Sequence, residues 1–193
     1  LVWVITSREN MFLSLTKTYG VTILLLGCLC HAGVARTFFQ KEEVFDELFP
    51  GAEVERVTHY LTPEQEKKIE QLAGNSLRVS IVYAYRIIKD GVLLETGYFD
   101  QHRVRTLPET LFIGVSPEES ITRVIVMAFN EPLEYMPSER WYAQFVEKKL
   151  EKDFRLKRQI DGVTGATLTA RSTTQAGRRI LAIHKVILEN QQP

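Results

Sequence analysis

Apolar and polar positions alternate with two different periods along this chain. In "TFFQKEEVFDELFPGA" (37–52), Phe38, Val44, Phe45 and Leu48 recur at roughly helical spacing and Pro50-Gly51 closes the run, which predicts a short amphipathic helix. "LTPEQEKKIEQLAG" (61–74) predicts a second helix, with Thr62 as N-cap, Pro63 at the first helical position, Gln65 completing a capping box and Gly74 as the stop. From Leu77 the period shortens. "LRVSIVYAYRII", the turn Lys89 to Gly91 and "VLLETGYF" read as one hairpin; "TLFIGVS", the polar turn "PEES" and "ITRVIVMAF" read as another. Helical spacing returns in "SERWYAQFVEKKLEKDF" (138–154), capped by Ser138, with Trp141, Phe145 and Leu150 as apolar positions. It returns again in the last helix, where Ala176, Ile180, Ile183 and Ile187 share one face. The pattern predicts an α+β class: a twisted antiparallel sheet of at least four strands with helices packed on it, in a single domain.

Composition narrows the picture. A chain of 193 residues, 45% hydrophobic and 25% charged, is long enough for one well-cored domain plus a targeting segment. With 24 basic and 24 acidic residues, and no basic run interleaved with aromatics, no nucleic-acid partner is expected. After Lys17 no formally charged residue occurs until Arg36, and "VTILLLGCLC" (21–30) followed by "HAGVA" reads as a signal peptide ending after Ala35. An uncleaved membrane anchor is the second reading of that segment. Met11 is a natural start for it, with residues 1–10 as an extension ahead. The organisation is thus 1–35 signal peptide, 36–76 N-terminal helical segment and 77–193 sheet-bearing domain, in the periplasm or another extracytoplasmic space, with membrane anchoring as the variant. Both cysteines, Cys28 and Cys30, fall in the leader, so the mature chain has no thiolate metal site, and no metal ligand set is expected.

The candidate chemistry lies in "DGVTGATLTARSTTQAGRRI" (161–180), a knot of small and hydroxyl-bearing residues just before the last helix. It lacks a Gly-Lys-Ser/Thr phosphate loop, a G-x-G-x-x-G fingerprint and a G-x-S-x-G elbow. Its ordinary explanation is a helix start, with Thr164 and Thr169 as cap hydroxyls. The start of a long helix also suits a phosphate, through backbone N–H donors and the positive dipole end. Gly165 and Ala166 allow close approach, and Thr167 offers a hydroxyl at that end.

Asp161-Gly162-Val163-Thr164-Gly165-Ala166-Thr167 resembles the flavinylation motif Asp-x-x-Ser/Thr-Gly-Ala-Thr of the FMN-binding domain family. That family includes the C subunit of sodium-translocating NADH:quinone reductase and the G subunit of the Rnf complex. The resemblance runs over about Leu77 to Leu188 and takes in "LFIGVSPEESITRVIVMAFNEP", where relatives carry Glu-Thr-Pro-Gly after the hairpin; here the loop has Glu131-Pro132 without the threonine and glycine. It implies FMN joined covalently to Thr167 through a phosphoester, installed by a separate flavin transferase. It also implies cofactor contacts from Thr164, Gly165, Ala166, Thr169, Glu131 and Pro132, and a role for Asp161 in recognition by the transferase or its metal.

The expected function is therefore an exported electron-transfer flavoprotein serving a membrane or periplasmic redox partner, with no catalytic side chain of its own. The alternatives are an exported non-redox interaction module whose Thr-Gly-Ala-Thr turn is only a helix start, and a flavin-dependent reductase of a soluble substrate. His102, in "FDQHRVR", reads as a surface histidine in a loop, and His184 as a packed one.

Overall fold

A computed structural model describes residues 36–37, 41–77 and 79–190. The expected leader (1–35) and Phe38 lie outside the described residues. Six strands form one antiparallel sheet in the order β1-β6-β5-β4-β3-β2: β1 (Arg36–Thr37), β2 (Glu53–Tyr60), β3 (Ile81–Lys89), β4 (Val92–Arg103), β5 (Pro108–Val115) and β6 (Ile121–Phe129). The helices are α1 (Lys41–Leu48), α2 (Pro63–Ala73), the single turn α3 (Glu139–Tyr142) and the long α4 (Thr167–Glu189), with 3-10 turns at Leu133–Tyr135 and Ala143–Phe145. This is the expected α+β class. Among the described residues no helix is long and apolar enough to cross a membrane.

The two hairpins form where the period-2 pattern put them. The first closes at Asp90 and Gly91, both with positive φ, the backbone twist that suits a two-residue hairpin turn. Alternation then sends side chains to two cores. Val82, Ala84, Tyr98, Leu111 and Ile113 face α2 and α4, while Ile87, Phe112 and Met127 meet Val44 and Phe49 of the α1 region on the opposite face. In α4 the predicted stripe Ala176, Ile180, Ile183 and Ile187 is buried. The α2 capping box is present as read, and Gly74 ends the helix at φ 71°.

Two expectations about elements need correction. The 36–76 segment is not purely helical: "EVERVTHY" forms β2, paired with β3 along its whole length. None of its residues is fully buried, so its hydrophobic signal is weak; backbone pairing and the Arg86–Glu55 ion pair at 2.8 Å hold it at the sheet edge. The predicted helix over 138–154 stops after α3 and the Ala143–Phe145 turn. Glu147 takes φ 65°, its N–H donates to the Ile121 carbonyl (2.8 Å), and the Ile121 N–H donates to the Lys148 carbonyl (2.9 Å). Pairing with the end of β6 outcompetes helix propensity here. Ser138 occupies the N-cap but makes no side-chain capping bond.

Arg178 binds α4 to its surroundings. Its guanidinium donates to the carbonyls of Leu72 (3.0 Å) and Ala73 (2.9 Å) at the end of α2, and to those of Glu151 (2.8 Å) and Phe154 (3.0 Å) in the segment between the Ala143–Phe145 turn and α4. Further along, Arg179 holds Asp100, Asp100 holds His102 Nδ1 (2.8 Å), and His102 Nε2 lies 3.0 Å from the fully buried Glu109, off the line of a straight hydrogen bond. Tyr142 and Thr173 donate their hydroxyls to Glu109 at 2.9 Å. His102 is therefore a largely covered strand residue rather than a surface loop histidine. Burial opposes its charge, but its hydrogen bond to Asp100 and the Glu109 carboxylate beside it push its pKa up to about 9. His184 is packed as read, 2.8 Å from the Tyr98 hydroxyl, and burial drives its pKa down to about 4.

Candidate functional site

The segment before α4 turns because of Gly165. Its φ of +84° and the Ala166 N–H bond to the Val163 carbonyl (3.3 Å) make a β-turn of the type that needs a left-handed third residue. A Cβ on Gly165 would meet nothing within 4 Å, so the strain of that φ, rather than crowding, selects glycine. Ala166 then occupies the N-cap with no side-chain cap. Among the described residues the N–H groups of Thr167, Leu168 and Thr169 have no acceptor, leaving three donors at the positive end of a 23-residue helix.

These residues border a cleft of about 160 Å³ lined by Val104, Arg105, Glu131, Tyr135 and Gly165 through Thr169. Thr167 is exposed, and its hydroxyl donates to the Val163 carbonyl at 3.1 Å. Thr169 is buried and donates to the Tyr135 carbonyl at 2.6 Å, tying the helix start to the opposite lip. Neither hydroxyl caps the helix.

Glu131 brings a carboxylate to the same place, yet it is already engaged. Its Oε1 accepts from the backbone N–H groups of Arg105 (3.2 Å), Thr106 (2.6 Å) and Leu107 (2.7 Å) and from the Thr106 hydroxyl (3.2 Å). Burial opposes ionisation, but the N–H donors of Leu107 and Thr106 outweigh it and hold the pKa below the ordinary glutamate value. The carboxylate thus folds the 104–107 turn.

Of the residues singled out in the sequence, the structure brings Glu131, Gly165, Ala166, Thr167 and Thr169 together. Thr164 is exposed outside the lining, and Pro132 begins the 3-10 turn beside it. Asp161 stands apart from the cleft: its N–H donates to Gln144 Oε1 (3.0 Å), its carbonyl accepts from Trp141 Nε1 (2.7 Å), and the residue is exposed. Val104, Arg105 and Leu168 complete the cleft and were not picked out beforehand; only topology brings the end of β4 to the start of α4.

The cleft at the start of α4 thus brings three N–H groups without acceptors among the described residues beside one cation and a carboxylate that stays ionised but is engaged by backbone donors, in an α+β domain. Residues 107–182 match the family model described as the FMN-binding domain, a match that supports flavin binding. No curated protein and no solved structure matches the chain.

The residues present fit the phosphate end of FMN. The cleft is smaller than the about 300–1,000 Å³ of sites that enclose a drug-sized ligand. A cleft of that size would take the phosphate end and not the whole of a flavin.

Proposed function

We propose that this chain is an exported electron-transfer protein holding FMN covalently on Thr167. The observation that carries the proposal is the placement of an exposed threonine hydroxyl at a helix start whose first N–H groups are unpaired. The Val163 carbonyl takes the hydroxyl hydrogen, which fixes the rotamer and leaves the oxygen lone pairs free for a phosphorus electrophile. Attachment would exchange the threonine O–H for an O–P bond: the hydroxyl oxygen would attack the flavin phosphorus of a flavin phosphoanhydride, the P–O bond to the second phosphate would break with that phosphate leaving as a phosphomonoester carrying the electron pair, and the hydroxyl proton would pass to solvent. The free N–H groups and the helix dipole stabilise the charge on phosphorus oxygens as that bond forms.

When bound, the flavin supplies one- and two-electron redox chemistry, and the protein's share is to seat it and set its exposure. Export is supported by the charge-free apolar stretch after Lys17. A covalent tether suits such a location, because a dissociable cofactor would be lost by dilution. Asp161, exposed and held by Trp141 and Gln144, is offered for recognition by a flavin transferase.

Co-expression with an active flavin transferase tests the assignment. Intact mass should rise by one FMN less water, and a denaturing gel should fluoresce under ultraviolet light; Thr167→Val should show neither while remaining folded. An unmodified wild-type chain, or a labelled Thr167→Val variant, would overturn it. Rapid mixing of reduced holoprotein with quinones and haem proteins should show electron transfer, whereas steady turnover of a soluble substrate would favour a reductase.

A further inference from the structure

The cleft lining contains two formal charges, Glu131 and Arg105, and they are in opposite conditions. Glu131 Oε1 is occupied by three backbone N–H groups and a hydroxyl. Among the described residues the Arg105 guanidinium has no hydrogen bond and no ion pair, whereas Arg123, Arg178 and Arg179 are each engaged by carboxylates or carbonyls. Arg105 also precedes the matched segment 107–182, so the family match assigns it no role.

We propose that Arg105 is the side chain that recognises the phosphate of the flavin in this cleft, and that Glu131 is the positioning residue that aims it. The proposal rests on the reading of Thr167 as the flavin's seat. Glu131 acts through the backbone: by gathering the N–H groups of residues 105 to 107 onto one oxygen, it fixes the turn from which Arg105 projects. A planar guanidinium offers paired N–H donors matched to two phosphate oxygens. In a cleft of about 160 Å³ that also holds the start of α4, the cation shares the anion with the N–H groups of Thr167, Leu168 and Thr169. The consequence is selection: the site discriminates phosphorylated flavin from riboflavin before any covalent bond forms.

The test uses the full chain expressed without a transferase, titrated with FMN and with riboflavin by flavin fluorescence. Wild type should prefer FMN by about tenfold or more, the range of a hydrogen bond to a charged group. Arg105→Gln should lower that preference to within about threefold while leaving riboflavin affinity unchanged, and Arg105→Lys should restore part of it. Glu131→Gln should lower the same ratio, a readout that simple loss of stability would not move. Arg103→Gln, on an exposed neighbour outside the lining, is the control and should change nothing. An Arg105→Gln protein that keeps the full preference overturns the proposal. If free FMN binds too weakly to titrate, the rate of transferase-dependent labelling decides, and equal rates for wild type and Arg105→Gln overturn it. A wild type that prefers FMN through Arg105 but is never labelled would retain this inference and sink only the covalent reading.

Discussion

Replacing Arg178 with methionine should be among the costliest changes in the domain. Methionine keeps much of the apolar stem and removes all four hydrogen bonds to carbonyls. The Glu151 carbonyl retains a second donor, the Phe154 N–H at 3.2 Å, so it is not orphaned. The Leu72, Ala73 and Phe154 carbonyls have no other protein donor among the described residues, and the first two end α2, where the guanidinium also meets the negative dipole end. Three orphaned acceptors at about 1–3 kcal/mol each, offset by no longer burying a cation, give a net loss of about 3–5 kcal/mol. That is a large part of the about 5–15 kcal/mol typical of a domain. With a urea m-value of about 2 kcal/mol/M, the unfolding midpoint should fall by roughly 2 M. Arg178→Lys should recover only a fraction, because one ammonium cannot span carbonyls from two segments. A loss below about 1 kcal/mol for Arg178→Met would refute the reasoning, since it would mean that water satisfies those carbonyls equally well.

Other outcomes follow from the same geometry. His102 has a folded pKa raised to about 9, so its contribution is complete below about pH 6.5 and is lost as pH rises through 9; the unfolding free energy from denaturant titrations should fall over that window by on the order of 3 kcal/mol, and His102→Gln should flatten the profile. His184 has a folded pKa lowered to about 4, so stability should decline as pH falls from about 6.5 towards 4, a decline His184→Gln should remove. Gly97→Ala should destabilise by about 1–3 kcal/mol in thermal melts, because its Cβ would run into the Phe112 ring. Thr169→Val should cost about 1 kcal/mol by orphaning the Tyr135 carbonyl, yet leave the labelling of Thr167 in place when mass is measured.

What the chain announces about itself depends on how local the signal is. The α2 cap is written in Thr62, Gln65 and Gly74, and the hairpins in their alternation, because each needs only neighbouring residues. β2 was hidden because an edge strand with no fully buried residue owes its state to the partner strand. The 138–154 segment has helical spacing, but Glu147 and Lys148 are claimed by Ile121, a contact no local window contains. The site shows the same division. Thr167 and its turn stand out as a motif, whereas Arg105 becomes a candidate only when β4 and α4 are seen to share a cleft. Glu131 was legible as a site residue, but not as one whose carboxylate is spent on backbone.

The cleft straddles the boundary of the matched segment: Val104 and Arg105 come from before residue 107, the remaining lining from within 107–182. On the proposed reading, the seat of the flavin and the turn that faces it therefore lie in separate stretches of chain. If Thr167 bears the flavin as proposed, the helix start is constrained by the chemistry of one bond, while the β4–β5 turn needs only to keep Arg105 and an acceptor that gathers its N–H groups. On that reading, changes at the other positions of a short turn would alter the surroundings of the flavin without touching the residue that bears it.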